Sequence, residues 1–180
     1  MSAFYELGQA ETGDARMIAR VSAHRGKFVR ARLHDPAPFS EAPELSWTWD
    51  APAPLSDWLP AVDMLRVCSV RMADIIRAHL GPQDRVQWLL ATVRTPDGQV
   101  HAYEVPHFLS YPDVYDVDAT DWGPSGLPIR WVLSRAKLDG LHFFARAEAS
   151  GTVIVAELLL NALRDAGVTG LDVRPVRTNP

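Results

Sequence analysis

Proline limits what residues 35–60 of this chain can form, because six of its fourteen prolines fall there. Each proline fixes its own φ angle and lacks a backbone donor, which excludes the segment from a helix interior or a central strand. We therefore predict an extended, irregular segment with a short strand over 45–49. The segment also holds Trp47, Trp49 and Trp58, whose rings must pack either on the core or on a partner.

Charge is segregated along the sequence. Residues 33–65 and 95–129 contain no Lys or Arg and carry six acidic residues each, whereas the net charge of the whole chain is only −4. The remaining residues therefore sum to about +8. Both acidic stretches are also rich in Trp or Tyr. Acidic groups beside large flat side chains are typical of a surface that binds a basic partner.

The length of 180 residues fits one domain that buries its own core. We expect residues 1–60, with strands and the Pro/Trp-rich segment, to pack on an α+β domain over 61–180 as one globular unit. The single cysteine, Cys68, excludes an internal disulfide and fits a reducing compartment. The first residues lack the pattern of a secretory signal, and no apolar run approaches the ~20 residues of a membrane span. The expected location is cytoplasmic.

The predicted fold class is α+β, a mostly antiparallel sheet with two main helices packed on it and a Pro/Trp-rich irregular N-terminal flank. One helix begins after Ser69, and the other carries an apolar face from Val155 to Ala166. A hairpin turns at 96–98 and leads to a long loop over 106–128. Strands are predicted at residues 3–7, 27–34, 45–49, 85–95, 99–105, 129–133, 141–146 and 171–176.

Motifs of reaction chemistry are missing from the sequence. There is no phosphate loop, dinucleotide fingerprint or nucleophile elbow. Cys68 lies in an apolar context and is interpreted as a packed core thiol. His101 and His107 match no metal-binding spacing, and the calcium-loop pattern that starts at Asp116 and Asp118 lacks the required Gly and Glu. We therefore predict no catalytic residue, metal or cofactor, and expect a protein that is not an enzyme.

Several short segments occur in the order found in a known family. They are a polar-Asp-aromatic-Leu segment at 55–59, a strand–Ser–helix unit at 65–76, a hairpin at 103–105, an acidic signature at 115–120 and a Phe-bearing strand at 143–146. A terminal helix with a Gly-Leu-Thr-Gly-like close follows at 153–158 and 162–171. This order resembles the bacterial polymorphic-toxin immunity domain, catalogued as domain of unknown function 1629. Ala156 and Thr120 depart from the family pattern, since each replaces a Ser. The resemblance implies a cytoplasmic, non-catalytic immunity protein that binds and neutralises a cognate toxin.

Acidic and aromatic residues outside the family signature are the interface candidates, because partners differ between members of the family. Asp57, Trp58, Asp116 and Asp118 fit the signature and are interpreted as structural. A toxin with a basic active cleft would be steered toward an acidic surface and covered by it. The predicted toxin-binding residues are Glu44, Trp47, Trp49, Asp50, Asp113, Asp121 and Trp122.

Two other classes of function stay open in the sequence. A small ligand-binding protein or enzyme would place a pocket under the 106–128 loop, lined by His101, His107 and nearby aspartates. A nucleic-acid binder would use residues 15–32, which hold six basic residues and no acidic one. The negative net charge of the whole chain argues against a nucleic-acid binder. We predict neither nucleic acid nor membrane as a partner. The sequence leaves open whether the chain is a monomer or a homodimer.

Overall fold

The computed structural model describes residues 3–9, 33–49, 54–60, 65–146 and 149–179. Within these ranges the chain is an α+β protein with two helices and mostly antiparallel strands, as predicted. The strands divide into a four-stranded sheet, a five-stranded sheet and a two-stranded ribbon. The predicted strand over 27–34 and the basic segment 15–32 lie almost entirely outside the described residues.

In chain order the strands are β1 (Phe4–Gln9), β2 (Leu45–Thr48), β3 (Trp58–Pro60), β4 (Arg66–Ser69), β5 (Val86–Arg94), β6 (Val100–Phe108), β7 (Asp121–Trp122), β8 (Pro128–Arg130), β9 (Phe143–Arg146), β10 (Ala149–Ala156) and β11 (Leu171–Pro175). The helices are α1 (Val70–Ala78) and α2 (Glu157–Asp165), and a short 3₁₀ helix spans Arg135–Lys137.

Strands from the first 60 residues complete both sheets. The four-stranded sheet has the order β11–β1–β10–β9 and is antiparallel throughout, with β1 between two strands from the C-terminal part of the chain. The five-stranded sheet has the order β2–β5–β6–β4–β3. Its edge strand β2 runs parallel to β5, and its other neighbours are antiparallel. Sheet pairing therefore ties the N-terminal flank to the rest of the fold.

Several strands differ from the sequence prediction. β3, β7 and β10 were not predicted, and Val155 is a strand residue rather than the start of a helix face. Residues 153–156 of β10 are all buried, so the sequence lacks the apolar–polar alternation of a half-buried strand. The apolar residues of β10 therefore run on into the apolar face of α2, and the boundary between the two elements is not visible in the sequence. The predicted strand over 129–133 is only three residues long, because β8 pairs solely with the two-residue β7.

Both helices begin and end where capping chemistry allows. The Ser69 hydroxyl accepts a 3.2 Å hydrogen bond from the Met72 amide and so caps α1. Ala156 offers α2 no side-chain cap, but the Glu157 amide donates to the Ala3 carbonyl over 2.8 Å. Gly167 ends α2 with a φ of 66°, a left-handed conformation that glycine adopts without cost.

The core forms three clusters of buried side chains. The first covers one face of the five-stranded sheet and includes Trp47, Trp49 and Phe39. The second joins both sheets to both helices, through residues such as Cys68, Val153 and Leu159. The third lies on the far side of the four-stranded sheet and holds the segment that leads into the ribbon. Because the second cluster takes residues from both sheets, burial of apolar surface fixes the sheets against each other.

Asp57 joins three distant parts of the chain. Its carboxylate accepts hydrogen bonds from the Ser69 hydroxyl at 2.6 Å, from Arg71 at 2.6 Å, and from the Thr169 amide at 2.9 Å. Burial works to raise the pKa of Asp57, but the hydrogen bonds from Arg71, Ser69 and Thr169 outweigh it and hold the pKa below its ordinary value. Asp57 therefore connects the start of α1 to the turn between α2 and β11, in agreement with its structural interpretation.

Gly170 is predicted to be irreplaceable at this junction. It has a φ of +83°, and a Cβ added to it would lie 2.3 Å from the Trp58 carbonyl oxygen. We expect Gly170→Ala to lower the free energy of unfolding by about 2 kcal/mol, from backbone strain and overpacking together. Gly126→Ala is the control, because Gly126 has a similar φ of +75° but open space around it. If urea unfolding shows that both variants lose the same stability, the predicted clash of the added Cβ with the Trp58 carbonyl is wrong.

Candidate protein-binding surface

The β7–β8 ribbon and the loop before it expose apolar side chains. Among the described residues, four of the eight exposed large hydrophobic side chains fall within residues 117–129. Soluble proteins rarely leave such side chains grouped on their surface without a role in binding. We call this group the ribbon surface; its members, with their exposed fractions, are Val117 (62%), Trp122 (41%), Leu127 (55%) and Ile129 (68%).

The ribbon surface is held in place by polar contacts beneath it. The Asp116 carboxylate accepts 3.0 Å hydrogen bonds from the amides of Asp118 and Ala119, and its other oxygen accepts one from the Asn179 side chain. The Thr120 hydroxyl donates to the Val132 carbonyl and accepts from the Val132 amide. Asp116 thus orders the turn, in line with its structural interpretation, and leaves the loop little conformational freedom to lose.

Trp122 is fixed at the centre of this segment. Its indole nitrogen donates to the Val117 carbonyl over 3.1 Å, and its ring meets the buried Tyr115 ring edge to face at 5.5 Å between centroids. One side of the indole is therefore packed and the other faces solvent. An aromatic ring held in this way can bury large area on binding at low entropic cost, which is how tryptophan acts as an interface anchor.

Acidic groups border the ribbon surface, but two of them have basic neighbours. Asp118 and Asp121 are exposed. Asp121 lies opposite Arg130 in the β7–β8 pairing, and Asp113 forms a 2.7 Å ion pair with Lys137. The acidic character of this region is therefore weaker than the sequence suggested, and the exposed apolar side chains are its more distinctive property.

In the first acidic stretch, residues 33–65, the tryptophans are buried rather than exposed. Trp47 and Trp49 are each 1% exposed and belong to the first core cluster, so the expectation that they contact a partner is wrong for these two residues. Alternation in β2 turns the Trp47 ring inward, and the Trp49 amide extends the pairing to the Arg94 carbonyl. Glu44 is exposed beside a cavity of about 430 Å³ next to β2, and Asp50 lies outside the described residues.

The predicted interface residues therefore separate into two places. Asp113, Asp121 and Trp122 lie around the third core cluster, whereas Glu44 lies beside the edge strand of the five-stranded sheet. Sequence reasoning missed the other members of the ribbon surface. Their signal was present, since large apolar residues within a Pro- and Gly-bearing irregular segment have no regular element through which to enter a core.

Residues considered for chemistry occupy structural positions. Cys68 is fully buried, and burial raises its pKa well above the ordinary value of a thiol. The ring nitrogens of His107 lie 3.3 Å from the Leu33 carbonyl oxygen and 2.9 Å from that of Ala37. Within the described ranges, no three His, Cys, Asp or Glu side chains are grouped to hold a metal.

Buried carboxylates are likewise used to hold elements together. Asp84 accepts hydrogen bonds from the amides of Gly81, His142 and Phe143, which fixes the end of α1 to the start of β9. Burial raises the pKa of Asp84, although these amides oppose the change. Glu104 pairs with Arg77, whose guanidinium lies 4.6 Å from the centre of the Trp88 ring.

No protein-family model matches the chain, and no curated protein matches it with significance. No helix in the described part of the chain is long and apolar enough to cross a membrane. The fold and the ribbon surface are therefore the observations on which a function has to be argued.

Proposed function

We propose that this chain is an immunity protein that binds and neutralises a cognate bacterial toxin without catalysis. The observation that carries the proposal is the ribbon surface, where four large apolar side chains are exposed within one short segment whose first turn is held by Asp116. The order of short motifs, which resembles the polymorphic-toxin immunity domain, supports the same conclusion from the sequence.

The ribbon surface has the make-up of an interface centre. Trp122 supplies a rigid aromatic anchor, and Val117, Leu127 and Ile129 expose further apolar area within the same segment that a partner could remove from water. Burial of these side chains would supply most of the affinity. The area fits the centre of a protein interface better than a cleft for a small molecule.

Exposed acidic groups at the border of the ribbon surface, partly offset by Arg130 opposite Asp121, would still favour a basic partner. Asp118 and Asp121 are exposed at its border, and the whole chain has a net charge of −4. Such acidic groups speed association with a positively charged toxin and contribute less to the final affinity than the apolar centre does. The cytoplasm, where the toxin would act, is the compartment that this function requires.

Co-expression with the toxin encoded beside this chain tests the proposal. We expect the toxin alone to stop growth and the pair to restore it, with both proteins leaving a size-exclusion column as one complex. A chain carrying Asp57→Ala, which weakens the fold without touching the ribbon surface, serves as the stability control. Continued growth arrest together with separate elution of soluble, folded partners would contradict the proposal.

A further inference from the structure

Arg66 is a buried cation whose guanidinium is incompletely paired. It stands at the start of β4 and is 4% exposed. Its Nε and Nη2 atoms have no hydrogen-bond partner. Its Cζ lies 5.0 Å from the centre of the Phe108 ring, which contributes a cation–π interaction but no counter-charge.

Neither Tyr111 nor the 33–37 segment accepts a hydrogen bond from Nε or Nη2 of Arg66. The Tyr111 hydroxyl, which interacts electrostatically with Arg66, donates a 2.9 Å hydrogen bond to the His34 carbonyl. The Asp35 carboxylate accepts a 3.1 Å hydrogen bond from the Ala37 amide. No carboxylate of the described residues forms an ion pair with Arg66, in contrast to Arg77. Among the residues that the structure describes, the charge is therefore left without an ion-pair partner.

An uncompensated guanidinium is expensive to bury. Taking a charge out of water carries a penalty that a well-formed ion pair normally offsets. Burial lowers the pKa of Arg66 to about 10, which still leaves the group protonated at neutral pH. Water can hydrate the free donors but supplies no negative charge. The planar arrangement of guanidinium donors matches two oxygens of a phosphate or carboxylate better than any other ligand.

We propose that Arg66 is the recognition group of a small-oxyanion site formed between β4, Phe108, Tyr111 and the segment 33–37. The ligand class is a small molecule that carries a phosphate or a carboxylate group. None of these residues belongs to the ribbon surface, so the proposal does not rest on toxin binding.

Thermal unfolding in matched salts tests the site. Wild-type protein, Arg66→Met and the exposed control Arg94→Met are melted in sodium phosphate, sodium acetate and sodium chloride at equal ionic strength. We expect phosphate or acetate to raise the Tm of the wild type and Arg94→Met by about 3 °C or more at tenfold above the Kd. Arg66→Met should show no such response. The more effective anion distinguishes a phosphate-bearing from a carboxylate-bearing ligand.

Behaviour in chloride alone supplies an independent readout. Because Met removes an uncompensated charge and keeps the volume, Arg66→Met should melt at or above the wild-type Tm. A much lower Tm, or a variant that does not fold, would mean that Arg66 is already paired and would overturn the proposal. The proposal would also be overturned if phosphate or acetate raised the Tm of Arg66→Met and of the wild type equally, because an equal rise indicates a general salt effect.

Calorimetric titration of inorganic phosphate and acetate into the wild type and Arg66→Lys completes the test. Lys keeps the charge but loses the planar donor pair, so we expect at least tenfold weaker binding of the preferred anion. Absence of binding of both anions to the wild type at millimolar concentration would refute the site. Because this experiment contains no toxin, its failure leaves the proposed immunity function untouched.

Discussion

Replacing Trp122 with Ala is expected to weaken binding of the cognate toxin by about 30-fold or more. Loss of a central aromatic anchor typically costs about 2 kcal/mol or more of binding free energy. The ring is 41% exposed and already packed on Tyr115 along one side, so a partner can bury its remaining surface without reordering it. Surface plasmon resonance with purified toxin measures the Kd, and we expect the change to lie mainly in the dissociation rate.

Leu158→Ala is the matched control for this prediction. Leu158 is 55% exposed on α2 and belongs to no part of the ribbon surface, so its truncation removes similar apolar area elsewhere. We expect its Kd to stay within about twofold of the wild type, since most peripheral residues contribute little to binding. A Trp122→Ala protein that keeps its Tm and binds toxin as tightly as wild type would remove Trp122 from the interface.

Replacing Asp57 with Ala is expected to lower the free energy of unfolding by about 3 kcal/mol. The substitution removes one carboxylate that accepts from Ser69, Arg71 and Thr169, and hydrogen bonds to charged groups are worth about 1–3 kcal/mol each without being additive. Urea unfolding measures the loss. Asp74→Ala is the control, because its carboxylate pairs with Arg77 at an exposed position, and such pairs contribute about 0–1 kcal/mol.

The Asp57 contribution should also depend on pH in a defined direction. Because the folded protein holds the pKa of Asp57 below its ordinary value of 3.8, the stabilisation is fully present above that pH. It is lost as the pH falls through the lower folded pKa. The unfolding free energies of wild type and Asp57→Ala should therefore differ at pH 7 and converge below 3.8. A difference that grows on acidification would contradict the direction of the pKa shift.

Local chemistry made much of the fold predictable from the sequence. Ser69 marks the start of α1 because its hydroxyl can cap the helix, and Gly167 marks the end of α2 because glycine adopts a positive φ. The turn at 96–98 placed the β5–β6 hairpin correctly. Each of these capping and turn signals depends on residues no more than about four positions apart. Local sequence is therefore enough to recognise them.

Tertiary context decided what the sequence left open. The burial pattern of β10 depends on contacts on both of its faces, which its own residues do not encode as alternation. Trp47 and Trp49 are residues typical of interface anchors but occupy core positions, because β2 turns Trp47 inward and the Trp49 amide continues the pairing with β5. Composition could identify large aromatic side chains but could not say which side of the sheet they occupy.

For the candidate site, Trp122 and Asp121 were identified from the sequence, whereas Val117, Leu127 and Ile129 were not. Val117 lies in the turn ordered by Asp116, and Leu127 and Ile129 lie in or beside the short β7–β8 ribbon, which offers them no core-facing element. Likewise, nothing in the sequence around Arg66 indicates that its side chain lies over Phe108 without a carboxylate. The first could have been suspected from the irregular segment alone, whereas the second required the tertiary structure.

Hydrogen–deuterium exchange of the chain with and without its cognate toxin tests the central claim most directly. If the ribbon surface is the binding surface, amides of residues 116–130 that exchange in the free protein should become protected in the complex, while those beside Glu44 and along β2 stay unchanged. A stable complex in which residues 116–130 exchange at the same rate as in the free chain would contradict the claim.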